Sequence, residues 1–120
     1  MYWIRKQFEF SASHLLVGLP STHPCSRLHG HNYIVELVLT GELNEKGFVV
    51  DYRDLAKFKK FIDDFVDHRD LNEVFFPMQT TAENIAKAFY DMAHEWWHEV
   101  YSVRVSETPK TWAEYNRYGL

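Results

Sequence analysis

The chain has 120 residues, 46% of them hydrophobic and 17% aromatic, with a formal net charge of −4 and one cysteine. This excludes a disordered polymer, a non-specific nucleic-acid binder and a disulfide scaffold, and the length supports a single domain over 1–120 that would gain from oligomerisation. Met1–Lys6 lacks the apolar core of a signal peptide and no stretch approaches 18 apolar residues, so a cytoplasmic protein acting on neither membrane nor nucleic acid is expected.

Residues 2–14 alternate as a strand, with Ile4, Phe8, Phe10, Ala12 and His14 sharing one parity, broken only by Lys6. A connection of about 14 residues follows (15–28), containing Gly18, Pro20, Pro24 and Cys25, and loops of that length are often functional. A second strand is expected from His29 to about Leu43. Asn44–Gly47 then reads as a turn, with Phe48-Val49-Val50 returning as a short hairpin strand. Asp51 is placed to cap a first helix whose stripe is Leu55, Phe58, Phe61, Ile62, Phe65 and Val66, with Lys57, Lys60 and Asp64 opposite. That helix is expected to end near Asp67-His68. Thr80 and Glu83 match a capping box for a second helix with Ile85, Phe89, Met92, Ala93 and Trp96 inside. Tyr101, Val103 and Val105 alternate towards Glu107, and a last extended segment covers 112–118. The order ββααββ predicts an α+β domain, a four-stranded antiparallel sheet carrying both helices on one face.

The chemistry gathers at one end of that sheet. His29-Gly30-His31 puts two imidazoles on one face of a strand, continued by the apolar Tyr33, Val35, Leu37 and Leu39. If the first two strands pair antiparallel, His14 at the end of one meets His29 and His31 at the start of the other. Three neutral imidazoles converging with a fourth position open match catalytic zinc. Cys25, four residues before His29, is compatible with two roles. Its thiolate could close the site as a fourth, structural ligand, or act as a general base beside an open ion, and the length of the loop favours the second. Asp67, expected in the last turn of a helix, opposes the macrodipole at a cost of roughly 0.3–1 kcal/mol. Such a broken local rule marks a candidate function, here an aspartate orienting His68 as a proton donor. Glu107 ends an apolar strand face, where a carboxylate can accept two parallel N–H bonds from an amino-pyrimidinone edge.

His94-Glu95-Trp96-Trp97-His98 also matches the H-E-x-x-H pattern of zinc proteases. Helical phase places both histidines opposite the Ile85/Phe89/Trp96 stripe, facing solvent, and no later histidine supplies a third ligand. The pair is therefore read as a polar face.

With these residues assembled, the chain resembles the 6-pyruvoyltetrahydropterin synthase/6-carboxytetrahydropterin synthase family. The likeness rests on Phe10-Ser11-Ala12-Ser13-His14, Cys25-Ser26-Arg27-Leu28-His29-Gly30-His31-Asn32-Tyr33, Val50-Asp51-Tyr52-Arg53-Asp54-Leu55, Asp67-His68-Arg69-Asp70-Leu71-Asn72, Thr81-Ala82-Glu83-Asn84 and Ser106-Glu107-Thr108. The short Cys-x-x-x-His-Gly-His spacing looks like the bacterial carboxytetrahydropterin branch. The resemblance implies the tunnelling fold (T-fold), a homohexamer built as a dimer of trimers with active sites between subunits, and Zn2+ held by His14, His29 and His31. It implies Cys25 as proton-abstracting base, Asp67 and His68 as its acid/base partner, and Glu107 as anchor of the pterin ring, with Thr81 as a further contact. The implied reaction converts 7,8-dihydroneopterin triphosphate to 6-carboxy-5,6,7,8-tetrahydropterin, releasing acetaldehyde and triphosphate on the way to 7-deazaguanines such as queuosine. A pyruvoyl-forming enzyme, a dihydroneopterin-cleaving homologue and a non-catalytic zinc or pterin-binding domain are the alternatives.

Overall fold

Alternation of apolar residues builds two long strands that dominate the computed structural model, which describes residues 1–119. Strand β1 (Tyr2–His14) pairs antiparallel with β2 (His29–Gly41) over all thirteen residues of each. Because side chains alternate, one register sends Phe8, Phe10, Ala12 and His14 to the same face as His29, His31, Tyr33, Val35, Leu37 and Leu39. A one-residue slip would move either whole set to the other side. Helix α1 (Ala56–Phe65) lays Phe58 against Phe8 at 5.1 Å between ring centroids, and α3 (Ala82–Trp96) brings Phe89 to Phe10 at 6.0 Å. Both long helices therefore cover that one face. Its interior is Tyr33, Val35, Leu37, Leu39, Phe58, Ile62, Ile85 and Phe89, all buried.

Among the described residues the sheet has five strands rather than four, in the order β3-β1-β2-β4-β5, and it is mixed. The addition is β3 (Arg69–Asp70), two residues that pair parallel to Ala12 and Ser13 of β1. A short helix, α2 (Leu71–Val74), follows at once, capped by Asp70. Neither carries a periodic signal long enough to read in sequence. Strands β4 (Val100–Thr108) and β5 (Thr111–Tyr115) complete the antiparallel side.

Three local expectations are corrected. Residues 48–50 form no return strand: the Asn44 side chain accepts from the N–H groups of Lys46 and Phe48, closing a loop, and Val49 and Val50 enter the core as plugs. Asp51 caps a 3-10 turn, Tyr52–Leu55, that leads into α1, and Phe65 lies outside the core at 58% exposure. Thr81, not Thr80, caps α3, accepting from the Asn84 N–H at 3.2 Å. Thr80 is fully buried and engaged elsewhere.

Candidate metal centre and active site

The β1–β2 register sets His14 directly opposite His29 and Ala12 opposite His31. The three imidazoles pack edge to face, with centroids 4.6, 5.3 and 4.9 Å apart, and one ligand nitrogen from each lies within 4.8 Å of the others. Backbone carbonyls select the tautomers. His14 Nδ1–H donates to Thr80 O at 2.8 Å and His29 Nδ1–H to Arg27 O at 2.7 Å, which leaves each Nε2 with a free lone pair. The Nε2 atoms of His14 and His31 are buried without a hydrogen bond, a cost of about 1–3 kcal/mol each unless a ligand is present. Burial lowers the pKa of both rings below 6.5, favouring the neutral form that a metal requires. Two orphaned nitrogens and a third ring oriented by a carbonyl fit a cation bound by His14, His29 and His31.

His31 also lines a groove of ≈ 780 Å³, together with Tyr33, Asp67, His68 and Glu107. That volume suits a small heterocyclic ligand. Glu107 Oε2 stands 3.3 Å from His31 Nε2, out of line for a hydrogen bond but within reach of its charge. Asp67 lies just past the C-cap Val66 of α1 rather than in its last turn. Its Oδ1 accepts the Ser11 N–H at 2.9 Å, and its Oδ2 meets His68 Nδ1 at 2.9 Å. The Ser11 bond, with a smaller contribution from His68, holds the Asp67 carboxyl below the usual carboxylate range. His68 adopts φ of 60°, the left-handed region rarely used by a non-glycine residue, and its N–H bonds Ser11 O at 2.6 Å. Its ring is left 82% exposed at the groove, Nδ1 on the aspartate and Nε2 free.

Cys25 is half-buried in a 3-10 turn, Pro24–Ser26, with its N–H on His23 Nδ1 and its carbonyl on the Leu16 N–H. Its sulfur is not among the converging ligand atoms. Thr81 does not line the large groove, and its hydroxyl is engaged in capping; Ala82 and Glu83 beside it share a smaller cavity of ≈ 280 Å³ with Glu107.

The family model for 6-pyruvoyl tetrahydropterin synthase matches residues 3–118. The chain belongs to this family. It is 33% identical over 141 residues to the 6-carboxy-5,6,7,8-tetrahydropterin synthase of Haemophilus influenzae, covering 96% of this chain and 99% of that one. The corresponding enzyme of Bacillus subtilis is 30% identical over 122 residues, covering 93% and 83%. The solved structure of Caenorhabditis elegans 6-pyruvoyl tetrahydropterin synthase superposes with a TM-score of 0.85 at 28% identity, over 96% of this chain and 94% of that one.

In this pterin synthase family member the H-E-x-x-H segment does not keep the helical geometry of the zinc-protease pattern. Helix α3 stops at Trp96, so His98 lies outside it with a side chain 90% exposed. His94 is half-buried rather than solvent-facing: its ring stacks on Tyr90, Nδ1 meets Val100 O at 3.2 Å, and Nε2 receives Arg117 Nη2 at 2.6 Å. Sequence reasoning gave Thr80 only a capping role, although its carbonyl orients His14, and gave no role to Ser11, whose backbone fixes Asp67 and His68. It also gave Tyr33 only a packing role, yet its hydroxyl is buried without a hydrogen bond beside Glu107, and burial raises its pKa. The two adjacent threonines offered one signal, since only one can cap the helix.

Proposed function

We propose that this chain is a zinc-dependent carbon–carbon lyase converting 7,8-dihydroneopterin triphosphate and one water to 6-carboxy-5,6,7,8-tetrahydropterin, with release of acetaldehyde and triphosphate. The observation that carries this reading is the convergence of His14, His29 and His31, with His31 lining a groove that also holds Glu107 and the Asp67–His68 pair. The names of the Haemophilus and Bacillus relatives support the carboxy product. Zn2+ bound by the three histidines would supply Lewis-acid polarisation of the substrate's side-chain hydroxyls and carbonyls.

The remaining chemistry belongs to the chain. Glu107 accepts paired N–H bonds from the amino-pyrimidinone edge and so fixes the pterin ring. Cys25 removes a proton from the polarised side chain. His68 returns or accepts a proton through Nε2, because Asp67 occupies its Nδ1. Thr81 contributes through the start of α3. Among the described residues the one strand on the outer edge of β1 is β3, at Ala12 and Ser13, which supports a homohexamer (a dimer of trimers) in which further copies cover the rest. Among the described residues no helix is long and apolar enough to cross a membrane, and we assign the enzyme to the cytoplasm and to 7-deazapurine (queuosine) synthesis.

The likeness to the Caenorhabditis elegans structure favours a second reading, a pyruvoyl-forming enzyme. Incubating zinc-loaded protein with dihydroneopterin triphosphate and weighing the pterin product separates them. The carboxy product with stoichiometric acetaldehyde is expected. Triphosphate release without acetaldehyde selects the pyruvoyl reading, and an unaltered pterin overturns both.

A further inference from the structure

Past His14 the edge of β1 has no strand beside it, yet its backbone is paired. Asn72 Oδ1 accepts the Leu15 N–H at 2.9 Å while its Nδ2 donates to Leu15 O at 3.0 Å. Two residues on, Gln79 Oε1 accepts the Val17 N–H at 2.9 Å while its Nε2 donates to Val17 O at 2.8 Å. A carboxamide offers the same donor and acceptor as a peptide group. Two of them on alternate residues reproduce the ladder of a neighbouring strand. Leu16, between them, gives its N–H to Cys25 O at 2.7 Å, so the turn bearing the thiol hangs on the residue the two clasps enclose.

Each clasp is anchored in a different element. The Asn72 N–H binds Asp70 Oδ1, in the β3 strand that pairs with Ser13, and Asn72 Oδ1 lies 3.4 Å from Thr80 Oγ1, whose own carbonyl receives His14 Nδ1–H. The Gln79 carbonyl accepts Asn84 Nδ2 at 2.9 Å, at the first turn of α3. Asn72 thus holds the strand end that carries His14, and Gln79 holds the start of the loop that carries Cys25.

We propose that Asn72 and Gln79 are positioning residues with separable tasks, Asn72 for the metal ligand His14 and Gln79 for the Cys25 turn. The turnover part of this rests on the reading of Cys25 as the base; the metal and thiol parts do not. The test compares Asn72→Leu with Gln79→Leu in the zinc-loaded protein. Asn72→Leu is expected to weaken zinc about 10–100-fold in a chelator competition and to shift the visible bands of the cobalt-substituted form. Gln79→Leu is expected to leave zinc affinity within about twofold, to raise the alkylation rate of Cys25 by iodoacetamide at least about fivefold, and to lower kcat about tenfold at unchanged KM. Gln79→Glu, which keeps the acceptor for Val17, should recover part of the loss. If Asn72→Leu does not fold, Asn72→Asp, which keeps the acceptor for Leu15, is held to the same zinc and cobalt criteria. The proposal fails if both variants lower Tm alone, with zinc affinity, cobalt bands and alkylation rate at native values. If the metal and thiol effects occur but native protein never turns over the pterin, the positioning roles stand and the proposed reaction falls.

Discussion

His29 and His31 lie two residues apart at the start of a strand; His94 and His98 lie four apart around the end of a helix, and both spacings are ones that zinc sites use. The first pair keeps its geometry because β2 runs unbroken through it and β1 delivers His14 opposite. The second loses its geometry because α3 ends at Trp96, between the two residues. The nitrogens differ as well. Carbonyls at Thr80 and Arg27 occupy Nδ1 of His14 and His29 and leave Nε2 available, whereas both nitrogens of His94 already have partners. A ligand spacing makes a site only where its element continues through it and the surroundings leave one nitrogen free.

The sharpest way to break this contrast is to remove one histidine from each set. His29→Ala should weaken zinc by more than the roughly 100-fold lost with an outer partner, while His94→Ala leaves one zinc per chain. Elemental analysis of the two purified variants checks it; His29→Ala should stay folded because the buried residues of β2 are untouched, and His94→Ala because its ring is only half-buried. Cys25→Ala should keep its zinc and lose about 10²–10⁴-fold in kcat, measured by pterin product formation. Retained turnover would move the base elsewhere, and loss of zinc would restore sulfur as a ligand. Glu107→Gln should lower kcat/KM about 10–100-fold, corresponding to a charge-assisted hydrogen bond worth about 1.5–3 kcal/mol.

The smallest effect concerns the aspartate that supports His68. A carboxyl whose native pKa is depressed adds stability that is complete above its unfolded pKa and disappears as pH falls through the native one. The Tm gap between native protein and Asp67→Asn should therefore be constant above about pH 5 and close progressively below about pH 4. A gap that widens on acidification would mean that Asp67 does not owe its state to the Ser11 N–H.

Much of the candidate metal site was legible because strand parity is a strict rule. Once Ile4 to His14 and His29 to Leu39 each share a face, antiparallel pairing leaves His14 little choice but to meet His29. The protein's other chemical residues were legible as types but not as neighbours. Asp67 and His68 reach the groove through β3, a two-residue parallel strand too short for any periodicity to announce. The choice between Thr80 and Thr81 as cap was equally hidden, because both fit the local rule and only burial against His14 separates them.

Sequence alone therefore determined the two long strands, the helices that cover them, and the face on which three imidazoles gather, since these follow from side-chain periodicity over many residues. The tertiary structure decided which nitrogen of each ring stays free, how the 67–72 segment closes on the β1 edge, and how Asn72 and Gln79 take the place of a missing strand. Apart from the His29 bond to Arg27, those features depend on hydrogen bonds between residues 56 to 66 positions apart, which leave no repeating trace in the chain.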